Sequence, residues 1–132
     1  MYGVIAAVPT PIDLEGEPVI ENFLAHCSWV LQNGCDGINI LGSTGEATSF
    51  NLAQRKLIMK SAAQELDKKK LMVGTGTPSL SESIKLTNFA NDLGYNVALI
   101  LPPFYYQPLE NYGLFLWYKT LHENLGNRKI KI

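Results

Sequence analysis

Short apolar runs alternate along the chain with longer stretches of helical periodicity. The apolar runs predict strands at Val4–Val8, Gly37–Leu41, Leu71–Gly74 and Val97–Leu101, with another beginning near Lys129. Helices are predicted at Pro18–Gln32, Leu52–Leu66, Ser81–Leu93 and Glu110–Asn124. The first is the clearest: Ile20, Phe23, Leu24, Cys27, Val30 and Leu31 share one face, Pro18 suits a first-turn position and Gly34 is the stop. The third has Ser79 or Ser81 as its cap and ends at Gly94. In the fourth, Leu114, Tyr118, Leu121 and Leu125 form a stripe ending at Gly126.

Strands that are apolar on both faces belong in a parallel sheet with helices packed outside it. Each strand and helix together take up ~30 residues, the length of a βα repeat. No linker or low-complexity segment interrupts residues 1–132, so one domain is expected. Two architectures fit the pattern. One is the first half of a (β/α)8 barrel, whose complete form needs ~250 residues. The other is a small, complete doubly wound domain. The pattern alone leaves both open.

Composition narrows the function classes. With 46% hydrophobic and 17% charged residues and a net charge of −1, the chain has no electrostatic footprint for nucleic acid or an acidic membrane surface. Lys68-Lys69-Lys70 lies where a helix gives way to a strand, and reads as a solvated corner. Cys27 and Cys35 lack CxxC spacing, so no zinc or other metal site is expected. Met1-Tyr2-Gly3 runs into strand-like sequence without a basic n-region, and no apolar stretch approaches the ~20 residues of a membrane span. The expectation is a soluble, cytoplasmic chain with reduced thiols. His26 and His122 lie on predicted helices without a partner in sequence, and surface positions are expected for both.

The chemistry is concentrated in Leu41-Gly42-Ser43-Thr44-Gly45-Glu46-Ala47, a glycine-flanked turn directly after the second strand, with a helix starting near Asn51. In parallel α/β folds ligands bind at this carboxyl end of the strands. Two adjacent hydroxyls and nearby backbone N–H groups suit a small anion such as a carboxylate. Known glycine loops do not fit: there is no P-loop Lys, Ser43 directly follows Gly42 rather than standing inside Gly-x-Ser-x-Gly, and Gly74-Thr75-Gly76 has Ser79 where a dinucleotide loop needs its third glycine. An ordinary βα loop with capping hydroxyls is the plain alternative. Glu46 is expected to brace the loop near the positive end of the following helix, a general base being the other role open to it. The second candidate segment is Pro102-Pro103-Phe104-Tyr105-Tyr106-Gln107-Pro108, where prolines hold three aromatic residues in an extended loop after the fourth strand. Such a cluster serves either packing or proton transfer by a phenol.

Taken in order, these segments resemble the N-terminal half of the dihydrodipicolinate synthase / N-acetylneuraminate lyase family, the pyruvate-dependent class I aldolases on a TIM barrel. Gly3-Val4-Ile5 through Thr10-Pro11 resembles the first strand and its turn, and Gly42-Ser43-Thr44-Gly45-Glu46 the Gly-(Ser/Thr)-Thr-Gly-Glu signature. Gly74-Thr75-Gly76 resembles the third strand's end, and Pro103–Pro108 the aromatic loop. The resemblance decides for the half barrel: four βα units and the start of strand five.

The resemblance also implies roles. Ser43 and Thr44 would hold the carboxylate of pyruvate or a 2-keto acid. Ser43 would join a proton relay with two tyrosines, one of them Tyr105, which in the family reaches into a neighbouring subunit's site across a dimer, within a homotetramer. Phe104 stands where many members have Tyr, and Tyr106 where many have Asn. The second relay tyrosine would directly follow Ile132, and the Schiff-base lysine would come ~25–30 residues later, one βα unit on; Lys129 and Lys131 lie on the wrong strand. No cofactor is implied beyond the covalent lysine–pyruvate Schiff base. The expected activity is that of dihydrodipicolinate synthase in lysine biosynthesis, joining pyruvate to aspartate semialdehyde. N-acetylneuraminate or another sugar-acid lyase is the alternative. A hypothesis of another class is an inactive fragment keeping part of the carboxylate site and a dimer surface.

Overall fold

Four short parallel strands carry the fold. The computed structural model describes residues 2–125 and 130–132. The strands are β1 (Ile5–Ala7), β2 (Gly37–Ile40), β3 (Leu71–Gly74) and β4 (Val97–Leu99), and they pair in the order β1-β2-β3-β4. The helices are α1 (Ile20–Gln32), α2 (Leu52–Glu65), α3 (Leu80–Leu93) and α4 (Asn111–Glu123). A doubly wound sheet sends later strands back to the far side of β1. Here each strand pairs with the next, and α1, α2, α3 and α4 pack each against its successor. That is barrel topology. Lys131 bridges Val97 in parallel, the Lys131 N–H donating to the Asn96 carbonyl and the Ala98 N–H to the Lys131 carbonyl, both at 2.8 Å. A fifth strand therefore begins beside β4. Its predicted start at Lys129, like the helix stop at Gly126, lies outside the described residues.

Local chemistry explains the element ends. Asn51 and Gln54 form a reciprocal capping box at the start of α2. Ser79, not Ser81, caps α3, and Gly94 ends it at φ +89°. Gly34, at φ +103°, follows α1 as expected. Pro18 does not open α1; it pairs with Ile12 in an antiparallel bridge, and the helix begins two residues later, after the Val19 N–H has donated to the Pro11 carbonyl. β4 stops at Leu99 rather than Leu101, just ahead of Pro102 and Pro103, which have no N–H to extend a ladder.

One face of the sheet is dry. Ile38, Ile40, Leu71, Val73 and Ala98 are buried beneath Phe23, Cys27, Ile58, Leu86 and Leu121 from the helices. Tyr95, also buried, donates its phenol O–H to the Met59 carbonyl at 2.8 Å. The opposite face carries a row in register, Ala7, Asn39, Met72 and Val97, and farther along it Leu99 and Leu101 are 42% and 40% exposed. Lys68, Lys69 and Lys70 are exposed, as the sequence suggested. His122 is exposed too, but His26 is half-buried and stacks on Trp29, with ring centroids 6.4 Å apart.

Burial separates the two thiols. It pushes Cys27 from 9.0 up to about 12, whereas Cys35 is only half-buried. In the native protein at neutral pH, a thiol reagent is expected to label Cys35 and to reach Cys27 only after denaturant is added, as peptide mass mapping would show. The sign of the pH effect follows. Between pH 9.0 and about 12 the unfolded Cys27 ionises while the folded one stays protonated, so stability falls as pH rises. The raised Tyr95 phenol, also driven by burial, acts in the same sense at higher pH. Urea unfolding at about pH 8 and about pH 11 should show the loss, and a Cys27→Ser variant should show less of it.

Candidate functional site

Leu41 ends the buried run after β2 at φ +53°, a left-handed conformation that bulky side chains rarely adopt. Glu46 repeats it at φ +50°. The chain between them reverses in a tight turn. The Glu46 N–H donates to the Ser43 carbonyl at 3.1 Å and the Ala47 N–H to the Gly42 carbonyl at 3.3 Å. Left-handed non-glycine residues cost roughly 1–2 kcal/mol each, so the surroundings must impose them. Gly45 packs so closely that a methyl there would lie 3.0 Å from the Leu41 nitrogen and 3.1 Å from the Val8 carbonyl oxygen. The Thr10 hydroxyl donates to the Gly45 carbonyl at 3.0 Å and ties the turn to the segment after β1. Behind the turn, a methyl on Gly74 would collide with the Leu41 carbonyl.

The turn borders a cavity of about 330 Å³ at the carboxyl ends of the strands. Leu41, Gly42 and Ser43 line it from the turn after β2, Gly74 and Gly76 from the end of β3 and the residues just past it, and Leu101 and Phe104 from the segment after β4. This volume suits a small organic ligand. A second cavity of about 220 Å³ shares Ala47, Thr48 and Phe104 with the first and reaches Arg55 and Glu82.

Arg55 braces the β3 side of the site. Only 3% exposed, it donates from Nη2 to the Gly74 carbonyl at 3.0 Å and from Nη1 and Nη2 to the Gly76 carbonyl at 3.3 Å. Burial pushes the guanidinium down to about 10, with the Glu82 charge acting the other way, and it remains cationic at neutral pH. Next to these carbonyls, the Thr75 and Thr87 hydroxyls are hydrogen-bonded at 2.8 Å inside the β3–α3 layer.

Residues 1–130 match the profile of the Dihydrodipicolinate synthetase family. The chain belongs to this family. A 4-hydroxy-tetrahydrodipicolinate synthase of Coxiella burnetii (strain Dugway 5J108-111) is 36% identical over 122 residues, which is 92% of this chain and 42% of that protein. Among solved structures, dihydrodipicolinate synthase from Agrobacterium tumefaciens str. C58 matches with a TM-score of 0.90 at 28% identity, over 96% of this chain and 45% of its own. The 2-keto 3-deoxygluconate aldolase of Picrophilus torridus matches with a TM-score of 0.86 at 29% identity, over 94% and 45%. The chain spans about two fifths of the length of the curated relatives it matches, and its four βα units correspond to the first units of a TIM barrel.

Within this dihydrodipicolinate synthetase framework the residues singled out from the sequence separate. Ser43 lines the cavity. Thr44 is exposed on the same turn but is not part of the cavity wall. Tyr105 is 75% exposed and meets Tyr106 edge-on, with ring centroids 5.1 Å apart, while Phe104 supplies the aromatic wall. Glu46 braces the turn through its backbone; its carboxylate makes no cap bond to the 3-10 turn Ala47–Ser49 that follows. Among the described residues no group of three or more His, Cys, Asp or Glu could hold a metal ion, and no helix is long and apolar enough to cross a membrane.

Arg55 and the close approach of Gly74 and Gly76 were missed in the sequence. The signal was present: Arg55 falls in the buried stripe of α2 with Ile58, Met59 and Ala62 at helical spacing.

Backbone bracing by Glu46 has a measurable consequence. Replacing Glu46 by Gly should leave stability unchanged or raise it by up to about 1 kcal/mol, because glycine accepts the left-handed conformation. Glu46→Val should lower stability by more than about 1 kcal/mol, with denaturant midpoints as the measurement.

Proposed function

We propose that the protein, as a complete barrel, is a Schiff-base, pyruvate-dependent aldolase or lyase of the dihydrodipicolinate synthase type. The observation that carries this reading is the Ser43 turn, strained at both ends and opening on a cavity of about 330 Å³, in a chain that matches the family over residues 1–130. Hydroxyls and N–H groups of the Ser43-Thr44 turn take the carboxylate of pyruvate or another 2-keto acid; such pre-set donors need no reorganisation when charge arrives. A lysine on strand six condenses with the keto carbon, water leaves, and the resulting iminium accepts electrons as the neighbouring carbon loses a proton. Ser43 and two tyrosines then move protons, one of them Tyr105 donated by a neighbouring subunit. The exposure of Tyr105 outside its own chain's cavity supports that arrangement, and a homotetramer built as a dimer of dimers would satisfy it. Lysine biosynthesis is the setting in which this reading places the enzyme.

Ser43 at the cavity wall favours a second reading. Serine in place of the threonine common in the family, together with the Pro103-Phe104-Tyr105-Tyr106 segment, resembles a sugar-acid lyase such as N-acetylneuraminate lyase. Assays of pyruvate with aspartate semialdehyde, and of pyruvate release from sugar acids, separate the two readings.

Treated with pyruvate and borohydride, the complete-barrel protein should give one stoichiometric lysine adduct. The 132-residue chain alone should give none. Mass spectrometry showing a single site-specific adduct on any lysine of this chain would overturn the assignment of the nucleophile.

The cross-subunit role of Tyr105 is tested by mixing. Ser43→Ala and Tyr105→Phe in the complete protein should each lose ~10²–10⁴-fold in rate. Unfolded together and refolded at equal concentration, about half the dimers are mixed; each then has one doubly altered site and one intact site, restoring about a quarter of wild-type activity. Absence of recovery, with mixed dimers confirmed by mass, would return Tyr105 to its own chain's site or remove it from the chemistry.

A further inference from the structure

A buried arginine is a costly way to fill space. Its position in the α2 stripe would accept leucine or methionine without any cost of desolvating a charge. Among the described residues no carboxylate forms a salt bridge with Arg55; its hydrogen bonds go to the carbonyls of Gly74 and Gly76. Those two glycines stand between the functional loops. Gly74 packs on the Leu41 carbonyl, where the Ser43 turn begins, and a methyl on Gly76 would lie 2.5 Å from the Leu101 nitrogen, where the aromatic loop begins. Between them the Thr75 N–H donates to the Leu99 carbonyl at 3.0 Å.

We propose that Arg55 is a positioning residue for the anion-binding turn. By fixing the Gly74 and Gly76 carbonyls from behind, it sets the spacing between the Ser43 turn and the loop that carries Phe104 and Tyr105. What the turn binds rests on the reading given under Proposed function; the positioning itself does not.

The test uses the full-length protein with two substitutions. Arg55→Met keeps the apolar stem and removes every donor, and Arg55→Lys keeps the charge on a smaller head. Hydrogen exchange, read by mass on peptides covering the Glu46, Ala47 and Thr75 amides, should accelerate roughly tenfold or more in Arg55→Met, measured against peptides from α1, with Arg55→Lys between. The pyruvate concentration that half-saturates borohydride trapping should rise about 10- to 100-fold in Arg55→Met, while the amount trapped at saturation stays near wild type. If Arg55→Met does not fold, Arg55→Lys decides on the same two measurements, with smaller changes in the same direction.

Unchanged exchange at Glu46, Ala47 and Thr75 overturns the proposal, and so does uniform acceleration across all peptides, which marks a merely stabilising side chain. An unchanged half-saturating concentration overturns it as well when the wild type forms the adduct. A wild type that traps no pyruvate removes the functional reading instead, and the exchange pattern then still decides the role of Arg55.

Discussion

The end of β3 meets its neighbours on both sides with no side chain in between. Gly74 faces the Leu41 backbone and Gly76 the Leu101 backbone, closer than any Cβ would allow. This contact between backbones governs the site. It holds Leu41 against the strand behind it, so the chain leaves β2 in a left-handed conformation and turns sharply enough to present Ser43. It also brings the segment after β4 close enough for Phe104 to share the cavity with that turn. Hydrophobic burial on the other face of the sheet sets where the strands lie. The two glycines set how near their ends come.

Strands and helices were legible in the sequence because periodicity encodes which side chains are buried, and α1 and α3 have clear stripes. Their ends were legible where a single residue carries the chemistry, as with Gly34 and Gly94, whereas Ser79 and Ser81 were equal cap candidates in the sequence, and it is the Ser79 hydroxyl that accepts from the Glu82 N–H. Pro18 misled by two residues because its role depends on Ile12, a partner six positions back that no local rule supplies. The choice between barrel and doubly wound sheet was beyond the pattern for a related reason. Periodicity does not say which strand lies beside which, and family resemblance had to supply the order that the pairing β1-β2-β3-β4 displays.

The site was legible in part. Glycines flanking two hydroxyls marked the Ser43 turn, but a leucine closing an apolar run reads as strand, so the strain at Leu41 gave no sign. Arg55 was hidden by the ordinary behaviour of arginine, which is mostly exposed. Only its phase with Ile58 and Ala62 betrays its burial. The aromatic loop was placed at the correct rim, yet the residue that enters the cavity wall is Phe104, because Tyr105 turns toward Tyr106 and solvent.

Strictly consecutive strand order bears on how such a chain assembles. Among the described residues every strand pairing closes a loop of only one βα unit, and the entropy lost in closing a loop grows slowly with its length. The contacts that define the sheet are therefore moderate in sequence separation, and no step threads a new strand between two that have already paired. At its outer edge the backbone of β4 is joined by Lys131. A protein built in this way lengthens by repetition, each unit docking on the one made just before it.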